Sequence, residues 1–206
     1  MAQETLLELK NFSSFDLVPI NLKIRQNETV SISGESGTGK SLLLRAIADL
    51  IPHKGDVFLE GNTANDYPPN EWRKQVAYLA AESQWWFDTI GEHFQLPLSM
   101  QTQKYLEEIG FDINVLDWEV MRCSTGERQR LAIIRMLANL PKVLLLDEPT
   151  ANLDTDNSML VESIIKHYQN ETSCSIILVS HNAEQKKRIA QRQYQIQGKD
   201  VVEVEV

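Results

Sequence analysis

Poor in cysteine, without any long apolar run and with fewer positive than negative charges, the sequence excludes several classes of protein before any motif is read. Its two cysteines, Cys123 and Cys174, lie far apart with no CxxC spacing, which argues against a disulfide framework and reads as reduced structural thiols of the cytosol. No apolar stretch approaches the roughly 20 residues that span a bilayer, so another protein would supply any membrane role. Acidic Glu4 and Glu8 interrupt the first apolar residues, so no signal peptide is expected. Lys and Arg number 20 against 29 Asp and Glu, a formal net charge of −9. That is the wrong sign for a general nucleic-acid surface, and no nucleic-acid partner is expected. Internal repeats, low-complexity tracts and long linkers are missing as well. What remains is 206 residues, 42% hydrophobic and 24% charged, the composition of one globular domain over residues 1–206 with a sizeable core.

Against those absences stands Gly34-Glu35-Ser36-Gly37-Thr38-Gly39-Lys40-Ser41, a match to the phosphate-cradling pattern G-x-x-x-x-G-K-[ST]. Residues 28–33 read as a short strand ending at this loop. Residues 41–50 read as a helix leaving it, stopped by Pro52. Strand, glycine loop and helix in that order aim several backbone N–H groups at one anion. Glycines let the chain close on oxygen atoms where a side chain would forbid the backbone angles. Lys40 reaches the β- and γ-phosphates of a bound nucleotide, and the Ser41 hydroxyl is a ligand for Mg²⁺. The plainer reading, a glycine turn ahead of a core helix, leaves the Lys-Ser pair unexplained.

A second acidic site follows an apolar run. Residues 143–146, Val-Leu-Leu-Leu, lead into Asp147, Glu148 and Pro149. Carboxylates at the C-terminal end of a buried strand lie where open α/β sheets bind ligands. Asp147 is placed to hold Mg²⁺ through its waters, and Glu148 to accept a proton from, or orient, an attacking water.

Elsewhere, residues 5–10, 17–25 and 56–60 read as strands of a β-rich N-terminal layer, with a turn at Asn27-Glu28. Residues 75–80, 142–146 and 175–180 are apolar and β-branched enough for buried, parallel strands. From 85 to 140 the pattern turns helical. Ser99 caps a helix through Ile109 with Gly110 just beyond, and another helix starts near Ser124 and runs to Pro141. A later helix over 155–169 puts Met159, Leu160, Ile164, Ile165 and Tyr168 on one core-facing stripe. The alternating tail, 200–206, reads as a half-buried edge strand. The expected fold is α/β, a P-loop NTPase core with a mostly parallel sheet, an N-terminal antiparallel β layer and a small helical subdomain inserted at about residues 84–140.

The order of these pieces resembles the ATP-binding-cassette ATPases: glycine loop, then Leu-Leu-Leu-Asp147-Glu148-Pro149-Thr150, then Ala151-Asn152-Leu153-Asp154, then Val179-Ser180-His181. The resemblance covers essentially the whole chain. It implies a Mg²⁺-dependent ATPase in which the signature segment of one subunit closes over ATP held by the other. Here that segment is Cys123-Ser124-Thr125-Gly126-Glu127-Arg128-Gln129. Against the usual Leu-Ser-Gly-Gly-Gln, Ser124 and Gly126 are kept while Cys123, Thr125 and Glu127 depart, and Glu127 adds negative charge beside an anion. Ser124 to Glu127 also fits S-x-x-E, a helix capping box, and the two readings can coexist. The resemblance further implies that Asp154 is the acid of a loop crossing the dimer interface, that His181 contacts the γ-phosphate and steadies the catalytic water, and that an aromatic from the first hairpin stacks on adenine. Phe12 and Phe15 are the candidates for that stacking, and Phe15 is favoured. The other histidines, His53, His93 and His167, read as surface residues.

Two departures bear on coupling. Where the family has a glutamine that senses γ-phosphate, this chain has Ala81, with Glu82 or Gln84 as substitutes if the loop shifts. Just beyond, Trp85-Trp86-Phe87 cannot all face inward on an extended segment. By resemblance this is where a permease docks. The implied protein is the ATP-binding and ATP-hydrolysing subunit of an ABC membrane transporter. It would pair as a homodimer on binding ATP, drive a separate integral membrane permease, and sit in the cytoplasm at the inner face of the cell membrane through that permease. The alternative is a cassette ATPase with a regulatory or interaction role away from transport.

Overall fold

The computed structural model describes residues 4–204. The ends of the expected domain, residues 1–3, and of the expected tail strand, residues 205–206, lie outside the described residues. In chain order the elements are β1 (Thr5–Ser13), β2 (Ile20–Arg25), β3 (Thr29–Gly34), α1 (Lys40–Ile47), β4 (Lys54–Leu59), β5 (Asn62–Thr63), α2 (Pro69–Gln75), β6 (Val76–Leu79), α3 (Met100–Glu108), α4 (Thr125–Leu137), β7 (Val143–Asp147), α5 (Thr155–Thr172), β8 (Ser175–Val179), α6 (Ala183–Ile189), β9 (Arg192–Gln197) and β10 (Asp200–Val204).

Two sheets form. Strands in the order β2-β1-β4-β5 make an antiparallel sheet, and β10-β9-β3-β8-β7-β6 make a second, parallel from β9 to β6 with β10 antiparallel at its edge. The mostly parallel core and the antiparallel N-terminal layer are therefore both present. Successive side chains on a strand face opposite ways, so the larger sheet builds two cores at once. Leu144, Leu146, Ile176 and Leu178 face a cluster shared with α3, α4 and α5. Val143, Leu145, Ile177 and Val179 face a cluster shared with α1 and the antiparallel layer.

Register decides where chemistry can occur. Val179 at the end of β8 lies opposite Ile32 of β3 on one side and Asp147 of β7 on the other. With strands spaced about 4.8 Å apart, the glycine loop, Glu148 and His181 leave three neighbouring strands at one edge of the sheet.

Several sequence expectations need correction. Met159 is 61% exposed and Leu160 is also exposed. The buried face of α5 is Val161, Ile164, Ile165 and Tyr168, at spacings of three and four residues. At about 100° per residue Met159 points away from that face, whereas Leu160, four residues before Ile164, shares its side and is nonetheless 39% exposed. The strand expected from residue 17 begins at Ile20, because Val18 instead donates to the Lys199 carbonyl (2.9 Å) and Pro19 has no N–H to pair. His53, His93 and His167 are each half-buried, not simply surface residues. His53 stacks near Phe12, with ring centroids 4.9 Å apart, and His167 lies between Glu108 and Glu171. Ser99 does cap α3, accepting from Thr102 N at 3.1 Å.

The two-sided burial of β8 makes a direct prediction. Ile177→Ala removes a fully buried side chain from a central strand and is expected to cost about 2–5 kcal/mol, read as a lower urea midpoint with an unchanged slope. A loss well below that range would contradict the packing described.

Candidate functional site

The site is assembled from the loops leaving β3, β7 and β8. Gly34 ends β3 so close to its neighbours that a β-carbon there would sit 3.1 Å from the Ile196 carbonyl. Gly39 takes the left-handed conformation as N-cap of α1, where it offers no capping side chain, and the first turn holds no acid. The opening N–H groups of α1 therefore have no side-chain acceptor, and the helix dipole adds partial positive charge at the same point. A β-carbon on Gly37 or Gly39 would meet nothing within 4 Å, so the loop's outer side is open. Lys40 is buried, with its Nζ donating to the Gly34 and Glu35 carbonyls at 2.9 and 2.8 Å. Thr38 Oγ1 donates to the Glu35 carbonyl at 2.9 Å and tightens the turn.

A hollow of about 260 Å³ opens in front of this loop, lined by Ser36, Lys40, Ser41, Asp147, Glu148 and His181 among others. Asp147, buried at the end of β7, accepts a hydrogen bond from the Tyr78 hydroxyl (2.9 Å), which in turn accepts from Arg45 Nε (3.2 Å). Burial pushes the Tyr78 phenol up to about 12, so it stays protonated and donates. Sequence reasoning missed Tyr78 and Arg45. Their only signal was a tyrosine on the strand beside the acidic one, and that adjacency depends on sheet order.

Glu148 has φ +49, a left-handed angle that a side-chain-bearing residue holds only against strain of about 1–3 kcal/mol. Its backbone is pinned there, the N–H to the Val179 carbonyl at 2.9 Å and the C=O from Ala151 N at 3.2 Å. Its side chain is turned toward His181: Oε2 accepts from His181 N at 3.4 Å, and Oε1 lies 3.5 Å from His181 Nε2. Burial raises the Glu148 pKa, and contact with His181 offsets part of the rise. A carboxylate held with a raised pKa beside a phosphate-sized hollow is placed to take up a proton.

A second hollow, about 920 Å³, also has Glu148 and His181 in its wall, together with Ala81, Glu82, Ala151 to Leu153 and Arg188. Glu82 thus stands within the same open space as the two, while Gln84 does not line it. Ser124 and Gly126 line neither hollow. Ser124 caps α4 in a reciprocal capping box: Glu127 Oε2 accepts from Ser124 N (2.7 Å) and Oγ (2.8 Å), and Ser124 Oγ accepts from Glu127 N (3.2 Å). Its hydroxyl is therefore engaged within the box, and those bonds hold the Glu127 carboxyl below its usual pKa. Gly126 packs where a β-carbon would stand 3.3 Å from Leu153 Cδ2. Asp154 caps α5, accepting from Asn157 N at 2.8 Å. Phe12 is fully buried, whereas Phe15 is 73% exposed on the loop between β1 and β2. Among the aromatic triplet, Trp85 packs against the core while Trp86 and Phe87 are exposed.

A strand, an uncapped helix start behind a glycine loop, and two acids two strands over, across β8, define a P-loop nucleotide-binding protein. The family model described as ABC transporter matches residues 17–151. "Probable iron export ATP-binding protein FetA" of Escherichia coli (strain K12) is 33% identical over 175 residues, covering 81% of this chain and 78% of that protein. "Uncharacterized ABC transporter ATP-binding protein MJ1508" of Methanocaldococcus jannaschii is 35% identical over 201 residues, covering 90% and 88%. A solved structure titled "Dimeric structure of a post-hydrolysis state of the ATP-binding cassette MJ0796 bound to ADP and Pi" superposes with a TM-score of 0.81 at 25% identity, covering 97% of this chain and 98% of that one. The chain belongs to the ABC transporter family, as an ATP-binding, ATP-hydrolysing subunit.

Burial of Glu148 carries its own test. Followed by ¹³C NMR, its carboxyl is expected to titrate above an exposed glutamate, and His181→Ala is expected to raise the midpoint further by removing a contact that lowers it. A midpoint at or below the ordinary value would contradict the described environment.

Proposed function

We propose that this chain turns over Mg-ATP at the hollow in front of the glycine loop, with Gly34 to Ser41 holding the phosphates. Lys40 releases its contacts to the Gly34 and Glu35 carbonyls for the β- and γ-phosphate oxygens. Ser41 and Asp147 line one hollow and present hard oxygen donors, a set that suits Mg²⁺. The ion, when bound, neutralises charge on the phosphate oxygens. Glu148 accepts the proton of a water whose oxygen attacks the γ-phosphorus as the bond to the β-phosphate oxygen breaks. His181, the immediate neighbour of Glu148, steadies the water and the γ-phosphate. The observation that carries this reading is the convergence of Lys40, Ser41, Asp147, Glu148 and His181 on a single hollow.

The assembly is a homodimer formed on ATP. Ser124, Gly126 and Asp154 of one copy complete the site of the other, and Phe15 stacks on adenine. Support comes from the similar solved structure, an ATP-binding cassette described as dimeric and bound to ADP and Pi. Residues 84–140 form the helical subdomain within the single domain. Its exposed Trp86 and Phe87 are the docking surface for an integral membrane permease, which holds the ATPase at the cytoplasmic face of the membrane. Among the described residues no helix is long and apolar enough to cross a membrane, so the transport path belongs to that partner.

Glu148→Gln is expected to bind ATP, to hydrolyse it at least 100-fold more slowly, and to elute as a dimer in ATP. Wild-type turnover in that variant would show that the base lies elsewhere. Lys40→Ala is expected to lose most affinity for ATP in a calorimetric titration, and unchanged affinity would refute its phosphate contact.

A further inference from the structure

His181 stands two residues before α6, and Glu148 two residues before Thr150, so the relative placement of the two depends on how α6 is held against the turn that follows β7. Their direct contacts are long, 3.4 and 3.5 Å, too weak to set that placement. A shorter side-chain tie between the two segments is made by Gln185. Gln185 of α6 is 1% exposed, and its Nε2 donates to Thr150 Oγ1 at 3.1 Å and to Glu162 Oε1 of α5 at 2.9 Å. The Glu162 carboxylate also takes Arg188 through Nη2 at 2.8 Å and Nε at 3.2 Å. A carboxylate accepts only, which fixes the amide with its nitrogen toward Glu162 and Thr150. The Gln185 backbone N–H donates to Asn182 Oδ1 at 3.1 Å and starts α6 immediately after His181.

We propose that Gln185 is a positioning residue for hydrolysis: its buried amide ties the Glu148–Thr150 turn to the His181–α6 segment and so sets the distance between the two groups that handle the attacking water. This rests on the reading of Glu148 and His181 as the hydrolytic pair. The Gln185 side chain lines neither of the two hollows that Glu148 and His181 share, and it acts through those two residues. Leucine at position 185 would keep the apolar bulk and remove both donors, leaving Glu162 to Arg188 alone. The turn and α6 would then be free to move apart by a fraction of an ångström, enough to matter where misplacement by 1 Å can cost about 100-fold.

The test uses the full chain with Mg-ATP. Gln185→Leu is expected to lower kcat by roughly 10- to 100-fold while the affinity for ATP stays that of wild type. In the His181→Ala background the same substitution is expected to cause no further loss, because both changes disable one arrangement. A Gln185→Leu protein that melts cooperatively and turns over at the wild-type rate would overturn the proposal. So would losses that multiply in the double variant. Should Gln185→Leu fail to fold, Thr150→Val removes one end of the tie at a half-exposed position, and the same fall in kcat with unchanged affinity for ATP is expected. Wild-type behaviour of that variant would equally overturn the proposal. Wild-type turnover in both His181→Ala and Glu148→Gln would instead bring down the hydrolytic reading itself, and this inference with it.

Discussion

A helix that begins without a cap is the constraint on which the rest of the structure depends. The first turn of α1 points backbone donors and the positive end of a dipole into a hollow at the edge of a buried parallel sheet, and no side chain answers them. Such donors are satisfied by water or by an anion, and Gly34 and Gly39 hold the loop at positive φ angles that a side chain would strain. Everything catalytic is then a matter of what the sheet brings alongside. The double pairing of Val179 puts Asp147 one strand away and brings the exits of β3, β7 and β8 to the same level.

The glycine loop and the acidic strand end were legible in the sequence because each is specified locally. Eight consecutive positions carry the loop, and an apolar run ending in Asp147-Glu148-Pro149 carries the acids. The parallel core was legible for the same reason, since 142–146 and 175–180 are apolar on both faces. What escaped was anything set by sheet order or helix docking. Tyr78 reaches Asp147 only because β6 and β7 are neighbours. Gln185 reaches Thr150 only because a polar seven-residue helix packs against α5. The misreading of Met159 and Leu160 has a related cause: on a long helix an apolar residue can border a hollow as easily as a core, and here Met159 does.

The departures from the family pattern gain physical content from the structure. Glu127 closes a capping box on Ser124, satisfying both the backbone N–H and the hydroxyl of the residue that the dimer would use, so closure over ATP requires that box to be rearranged or its charge to be tolerated. Ala81 leaves the wall of the larger hollow without the amide expected there, and Glu82 shares the space with Glu148 and His181. Neither change falls among the residues that line the hollow in front of the glycine loop. Lys40, Ser41 and Asp147 of that hollow all keep the family pattern, so what sets this chain apart lies outside the glycine loop.

The central claim is that recognition is of the phosphate chain, by main-chain donors at the start of α1. The most direct measurement is a calorimetric series of ATP, ADP, AMP and adenosine titrated into the protein with Mg²⁺ present. Affinity that falls steeply as phosphates are removed, with no detectable heat from adenosine, is the predicted result. Comparable affinity for adenosine and ATP, or no binding of any of the four, would contradict it.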